Sequence, residues 1–282
     1  MIEAIKKDAA LLLEIKSFEK DDQHFHVWWL GQSGYLILWK GKKILIDPYL
    51  SDSLTRKYAD TRKPHVRMSE RVIAPELLQD IFIVSSSHNH TDHLDAETLI
   101  PIININPGIN FIIPEANRSF VAERVKMPES FPKGLTEGEK ITFGDFTFTG
   151  VAAAHNTIDR DEKGRCKYMG YIIQFGNNTL YHSGDTLWFE GMEKILASYN
   201  IDLAFLPING NEPAREVAGN LNSDEAVDLA LKAGIRHVIP CHYDMFEFNT
   251  ADPREFAQKA AALQQPYTVL PAGGHWSSKL SG

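Results

Sequence analysis

The hydrophobic period of this chain changes once near its start and then alternates between strand-like and helix-like stretches. Residues 3–19 set Ala4, Ile5, Leu12, Ile15 and Phe18 among lysines and glutamates. That spacing predicts an imperfect amphipathic helix with one apolar face to dock. From residue 25 the pattern shortens to that of strands at 25–30, 35–39 and 43–46, parted by Gly31-Gln32-Ser33-Gly34 and Lys40-Gly41-Lys42. Residues 51–75 are polar and irregular and read as a long loop. The apolar run 81–84 reads as a short buried strand. Beyond it, strands are predicted at 111–113, 140–143, 146–151, 168–175, 179–182, 202–206, 236–239 and 267–270. Helices are predicted from Pro114-Glu115 to about residue 126, and over 190–199. Two more start at capping boxes, Asn222 with Glu225 and Asp252 with Glu255, and run to residues 233 and 263.

Candidate chemistry gathers behind these strands. The run 81–84 leads into Ser85-Ser86-Ser87-His88-Asn89-His90-Thr91-Asp92-His93, with three histidines and an aspartate in six positions. In an extended loop alternate side chains point the same way, so His88 and His90 can grip one ion. Asp92 and His93 then turn away and can serve a second. Asp47 ends the third strand either as a turn-former or as a hydrogen-bond partner that orients a ligand histidine. His155 follows Ala152-Ala153-Ala154, small residues that leave room for an ion. In Ser183-Gly184-Asp185 the glycine allows close backbone approach, and the aspartate offers two oxygens that can bridge two cations. His242 follows the strand at 236–239, beside Tyr243. All of these lie just past the C-terminal ends of predicted strands, as a binuclear site at the rim of two sheets requires.

Other residues are placed with less chemistry to fix them. His182 falls on the opposite face of its strand from Asp185, as core or as support for a ligand. His275 lies in a glycine-bracketed turn that either reaches the site or does not. Asn209 and Arg215 share a polar loop past a strand end, and the arginine fork suits a substrate phosphate. The competing role for Arg215 is a surface salt bridge to Glu212 or Glu216. The charged loop 156–167 is either solvated or an anion-touching lid. His24, His26, His65 and His237 are assigned to surface or core.

Composition narrows the setting. With 282 residues, 43% of them hydrophobic, and no linker-like or low-complexity block, one domain over 1–282 is expected, its N-terminal helix an appendage. That helix docks on its own domain or on a second subunit, so a homo-oligomer is one of two outcomes. A net charge of −8 argues against a nucleic-acid or membrane-surface partner held by bulk charge. Cys166 and Cys241 are the only cysteines, and the N-terminal apolar run is too short for a leader or a span. A cytoplasmic protein is expected.

In order and approximate spacing, His88-x-His90-x-Asp92-His93, His155, Ser183-Gly184-Asp185 and His242 resemble the metallo-β-lactamase superfamily. The resemblance implies an α/β fold, the four-layer αβ/βα sandwich. It implies two divalent metal ions, zinc or manganese first and iron or cobalt also compatible. His88, His90 and His155 would hold one ion, Asp92, His93 and His242 the other, with Asp185 bridging. A metal-bound hydroxide would attack the substrate, and Asp92 would carry the proton to the leaving group. Three segments, Tyr181 to Asp185, Asn209 to Pro213 and Ile239 to Asp244, look like the ascorbate-6-phosphate lactonase group, although Tyr243 stands where that group has a second histidine. The substrate implied is a small anionic ester, a sugar-phosphate lactone or a cyclic phosphodiester. A thioester hydrolase of the glyoxalase II kind and a non-catalytic metal-binding protein are the alternatives.

Overall fold

The computed structural model describes residues 1–281. The strands are β1 (His26–Gly31), β2 (Gly34–Trp39), β3 (Lys42–Ile46), β4 (Ile81–Ser85), β5 (Asn110–Pro114), β6 (Lys133–Leu135), β7 (Lys140–Phe143), β8 (Phe146–Ala152), β9 (Met169–Phe175), β10 (Asn178–His182), β11 (Leu203–Pro207), β12 (Val238–Cys241) and β13 (His275–Ser277). They form two mixed sheets, ordered β13-β1-β2-β3-β4-β5-β6 and β12-β11-β10-β9-β8-β7. In each sheet an antiparallel part passes into a parallel part, at β3 in the first and at β10 in the second.

Both faces of the first sheet are buried, and alternation within each strand decides which layer a residue joins. Val27, Trp29, Tyr35, Ile37, Ile44 and Ile46 face the second sheet, where Phe148, Tyr171 and Ile173 meet them. Their neighbours Trp28, Leu30, Leu36, Leu38 and Leu45 point outward under the first helical layer. That layer is α1 (Asp8–Ser17), α2 (Ser53–Lys57), α3 (Ala96–Ile105) and α4 (Arg118–Arg124) in chain order, with α1, α3 and α4 packed on the sheet. On the far side α5 (Met192–Ala197), α6 (Ser223–Ala233) and α7 (Pro253–Ala262) cover the second sheet. The result is the four-layer αβ/βα sandwich. No helix among the described residues is long and apolar enough to cross a membrane.

Several boundaries differ from the sequence reading for physical reasons. The first helix is shorter, and it is packed in rather than appended: Leu11 and Ile15 are buried in the outer core, while Ile5 stays exposed. Segment 267–270 makes only a bridge to Val238, because Pro266 and Pro271 flank it and neither carries an N–H. The last strand is instead β13. Asn222 and Glu225 make the reciprocal capping box, whereas Asp252 caps α7 through the Arg254 amide and Glu255 does not reply. Two elements, α2 and α3, arise where no helix was expected, and α3 holds Pro101 inside it.

β13 pairs with β1 so that His275 sits opposite Trp28, and its ring stacks on Trp28 and Phe18 with centroids 4.7 Å away from each. Its Nε2 lies 3.1 Å from Nδ1 of His26. Trp28 in turn donates to Glu14 at 3.0 Å, fastening α1. Burial lowers the His275 pKa to about 4, with Glu14 opposing and His26 adding to the shift. An unfolded histidine titrates at about 6.5. Between those values the unfolded chain binds the extra proton, so the native state loses stability as pH falls from about 6.5 toward 4. His275→Phe keeps the stack and removes the titration. Urea unfolding at pH 7 and pH 4.5 should therefore show a smaller acid loss in the variant, and equal losses would refute this account.

Candidate active site

The site lies at the C-terminal rim of both parallel parts. β3 ends in Asp47, β4 in the 85–93 loop, β8 before His155, β10 before Asp185, β11 before Asn209 and β12 before His242. Two groups of ligand atoms form there, each with all members within 4.8 Å of one another. One comprises His88, His90 and His155; the other Asp92, His93, Asp185 and His242. Asp185 reaches both. Its Oδ1 is 3.2 Å from His93 Nε2, and its Oδ2 is 3.3 Å from His242 Nε2 and 3.8 Å from His155 Nε2.

The rings are held from behind. Asp47, at a left-handed φ of 43°, accepts from the Ser87 amide at 2.7 Å and lies 2.6 Å from His93 Nδ1. It thus orients a histidine as well as ending a strand. His155 Nδ1 faces the Gly219 carbonyl at 3.0 Å, which leaves Nε2 free toward the cluster. His182 joins neither ligand group: it meets the Ser33 carbonyl at 2.9 Å, accepts from the Gly184 amide at 3.1 Å, and its Nδ1 lies 4.0 Å from Asp47 Oδ2. Gly184 has φ +60°, and a Cβ there would stand 2.8 Å from both the Met169 carbonyl oxygen and Ser87 Cβ. Only glycine fits.

Charge in this pocket is far from ordinary. Burial drives His88 well below the usual imidazole range, and repulsion from His93 and His90 adds to it. Burial pulls His93 down too, but Asp185, Asp92 and Asp47 outweigh it and hold the ring well above that range. Burial would raise Asp185, yet His93 and His242 keep it well below the carboxylate range. Three carboxylates, Asp185, Asp92 and Asp47, thus converge on His93, a negative load that a divalent cation would balance. Buried His88 Nε2 and Gln32 Oε1 have no hydrogen-bond partner. Orphaned lone pairs amid imidazole and carboxylate, with no thiolate, fit a divalent transition metal.

Four expected site contacts are absent. His275 belongs to the α1 clasp. Tyr243 stacks on Trp29 at 4.4 Å and donates to the Leu270 carbonyl, so it packs the rim from below. Arg215 donates to the backbone carbonyls of Asn209 and Thr250 and to Asn249, tying two loops together. Neither glutamate pairs with it, and Glu216 instead meets Lys63 at 2.8 Å. Asn209 is spent on the same tie through Asn249 and Asn220. The 156–167 loop is internally salt-bridged, Arg165 to Asp161 and Lys167 to Asp159, as a solvated loop would be.

Sequence reasoning missed two features. Gln32 was assigned to a turn; its amide is fully buried, 2.8 Å from Asp92 Oδ2 and 3.0 Å from His242 Nε2. The only signal was a polar residue between two largely apolar strands. The second is a cavity of about 860 Å³ over the cluster, with His90, Asp92, His155 and Asp185 in its floor. His65, assigned to surface or core, lines it with Tyr58, Phe246 and Phe248, and Arg62 and Lys63 are the basic residues of its wall.

Comparison with known proteins identifies the family. A family model described as a beta-lactamase superfamily domain matches residues 42–243. A UPF0173 metal-dependent hydrolase of Rubrobacter xylanophilus is 32% identical over 232 residues, covering 79% of this chain and 83% of that one. One from Pyrococcus abyssi is 31% identical over 254 residues, covering 88% and 96%. Among solved structures, a metallo hydrolase from Ignicoccus hospitalis superposes with a TM-score of 0.66 at 21% identity, covering 90% and 98%. These relatives are named as metal-dependent hydrolases and not specifically as ascorbate-6-phosphate lactonases, so they support the superfamily and not the finer resemblance. The chain belongs to the metallo-β-lactamase superfamily and is a metal-dependent hydrolase.

Proposed function

We propose that this enzyme is binuclear and hydrolyses a small anionic ester, a sugar-phosphate lactone or a cyclic phosphodiester. The observation that carries this reading is Asp185, whose two oxygens face histidines of both ligand groups. His88, His90 and His155 would hold one divalent ion and Asp92, His93 and His242 the other, with Asp185 shared. Zinc and manganese suit the donors first, iron and cobalt next. Bound there, the metals supply an acidified water and polarise the carbonyl or phosphoryl oxygen.

The remaining work falls to protein groups. Asp47 and the Gly219 carbonyl fix the tautomers of His93 and His155. Asp92 lines the cavity and is oriented by Gln32, so it takes the proton released on attack and passes it to the leaving oxygen. Arg62 supplies the positive charge that an anionic substrate meets, a role that neither Arg215 nor Lys63, paired with Glu216, fills. Both cysteines are free and buried, which suits a reducing, cytoplasmic setting.

Three measurements test this. Wild-type protein reconstituted and analysed for metal should hold two equivalents, and Asp185→Asn should fall to one or fewer, since an amide bridges poorly. One equivalent in fully active wild type would defeat the binuclear reading. His90→Ala and His242→Ala should each lower kcat by several orders of magnitude, while His237→Ala, whose ring meets Thr268 at 2.9 Å, should keep near-full activity. Comparable losses at His237 in folded protein would remove His242 from the ligand set. Asp47→Asn should weaken metal affinity by roughly 10–100-fold in chelator competition; unchanged affinity would show that Asp47 only shapes the turn.

A further inference from the structure

The cavity has one wall that the reaction itself does not require. Tyr49, Leu54, Met245 and Phe246 form a third apolar cluster, apart from the two cores of the sandwich, and Tyr58 and Phe248 pack on it only partly buried. His65 lies among them. Its ring stacks on Tyr58 with centroids 4.2 Å apart and planes within 19°. It tilts against Phe248 at 4.5 Å and meets Phe246 edge-on at 5.1 Å. Tyr58, His65 and Phe248 all line the cavity whose floor carries His90, Asp92 and Asp185. These segments, 51–66 and 245–250, are outside both sheets.

Aromatic rings left half-open beside a polar cluster hold hydration that a flat partner displaces, and ring-on-ring contact adds directional attraction. The volume of about 860 Å³ leaves room for more than the reacting ester. Arg62 lines the same cavity and brings a positive charge to it, while Lys63 is paired with Glu216.

We infer that the Tyr58–His65–Phe248 wall is an aromatic contact subsite for a flat unsaturated ring carried next to the anionic reacting group of the substrate. This rests on the ester-hydrolase reading and narrows it: a phosphodiester or ester bearing a planar ring is favoured over a bare sugar lactone.

Calorimetric titration of metal-loaded protein with phenylphosphonate and with methylphosphonate tests the subsite without any turnover. The two probes share the anionic head and differ only in the ring. Wild type should bind the phenyl compound at least about threefold tighter. The double variant Tyr58→Ala/Phe248→Ala should bring that ratio to within about twofold of unity, while Phe248→Tyr, which keeps a flat ring, should preserve it. A wild-type ratio below about threefold would overturn the inference, as would a full preference retained in the double variant. If the double variant does not fold, Phe248→Leu replaces it, and loss of the preference there supports the subsite while retention overturns it. Failure of the hydrolase reading shows separately, as absence of ester or phosphodiester turnover by wild type that still prefers the phenyl probe.

Discussion

Everything at this rim depends on hydrogen bonds that cross from one sheet to the other. Tyr171 donates to the Ser86 carbonyl at 2.9 Å, and the Met169 amide to the Ser87 carbonyl at 3.1 Å. Tyr35 reaches the Pro240 carbonyl at 3.0 Å, His182 the Ser33 carbonyl at 2.9 Å, and the His242 amide the Gln32 carbonyl at 3.0 Å. These groups are buried, and each bond adds only about 0.5–1.5 kcal/mol net, but leaving one unmade costs about 1–3 kcal/mol. The sheets cannot slide or splay at this end without orphaning several at once. Ligands carried by different sheets therefore keep their spacing before any ion arrives.

Within that frame the cluster is shaped by backbone conformations that most side chains avoid. Gln32, Asp47 and His242 all have positive φ, at 52°, 43° and 64°. Such residues persist where surrounding contacts over-determine them, and here each is fixed by a bond to another site residue. His242 uses its amide to hold Gln32, whose side chain holds Asp92. Asp47 holds both the Ser87 amide and the His93 ring. Strain and support lie in the same few positions.

This also explains what could be read from the sequence. Strands of the inter-sheet core were legible because β-branched and aromatic residues run unbroken between turn residues, and the groups that meet at the rim were legible because histidines and aspartates recur just after those strands. Gln32, Ser87 and the Gly219 carbonyl were not legible, since their roles exist only once two distant segments touch. Arg215 was misjudged for the same reason: its charge is visible locally, but the carbonyls of Asn209 and Thr250 that absorb it are not. His65 looked like an isolated histidine until segments 51–66 and 245–250 came together. α3 went unassigned, and it carries Pro101 within an otherwise helical apolar run.

The third apolar cluster shares no residue with either main core. Exchanging Tyr58, His65 or Phe248 therefore perturbs neither the packing that holds the sheets nor the bonds that hold the ligands. Selection can reshape what this enzyme admits while leaving its reaction alone, and the stability cost of each step stays confined to two surface loops. Relatives with the same cluster of histidines and aspartates need not share a diet.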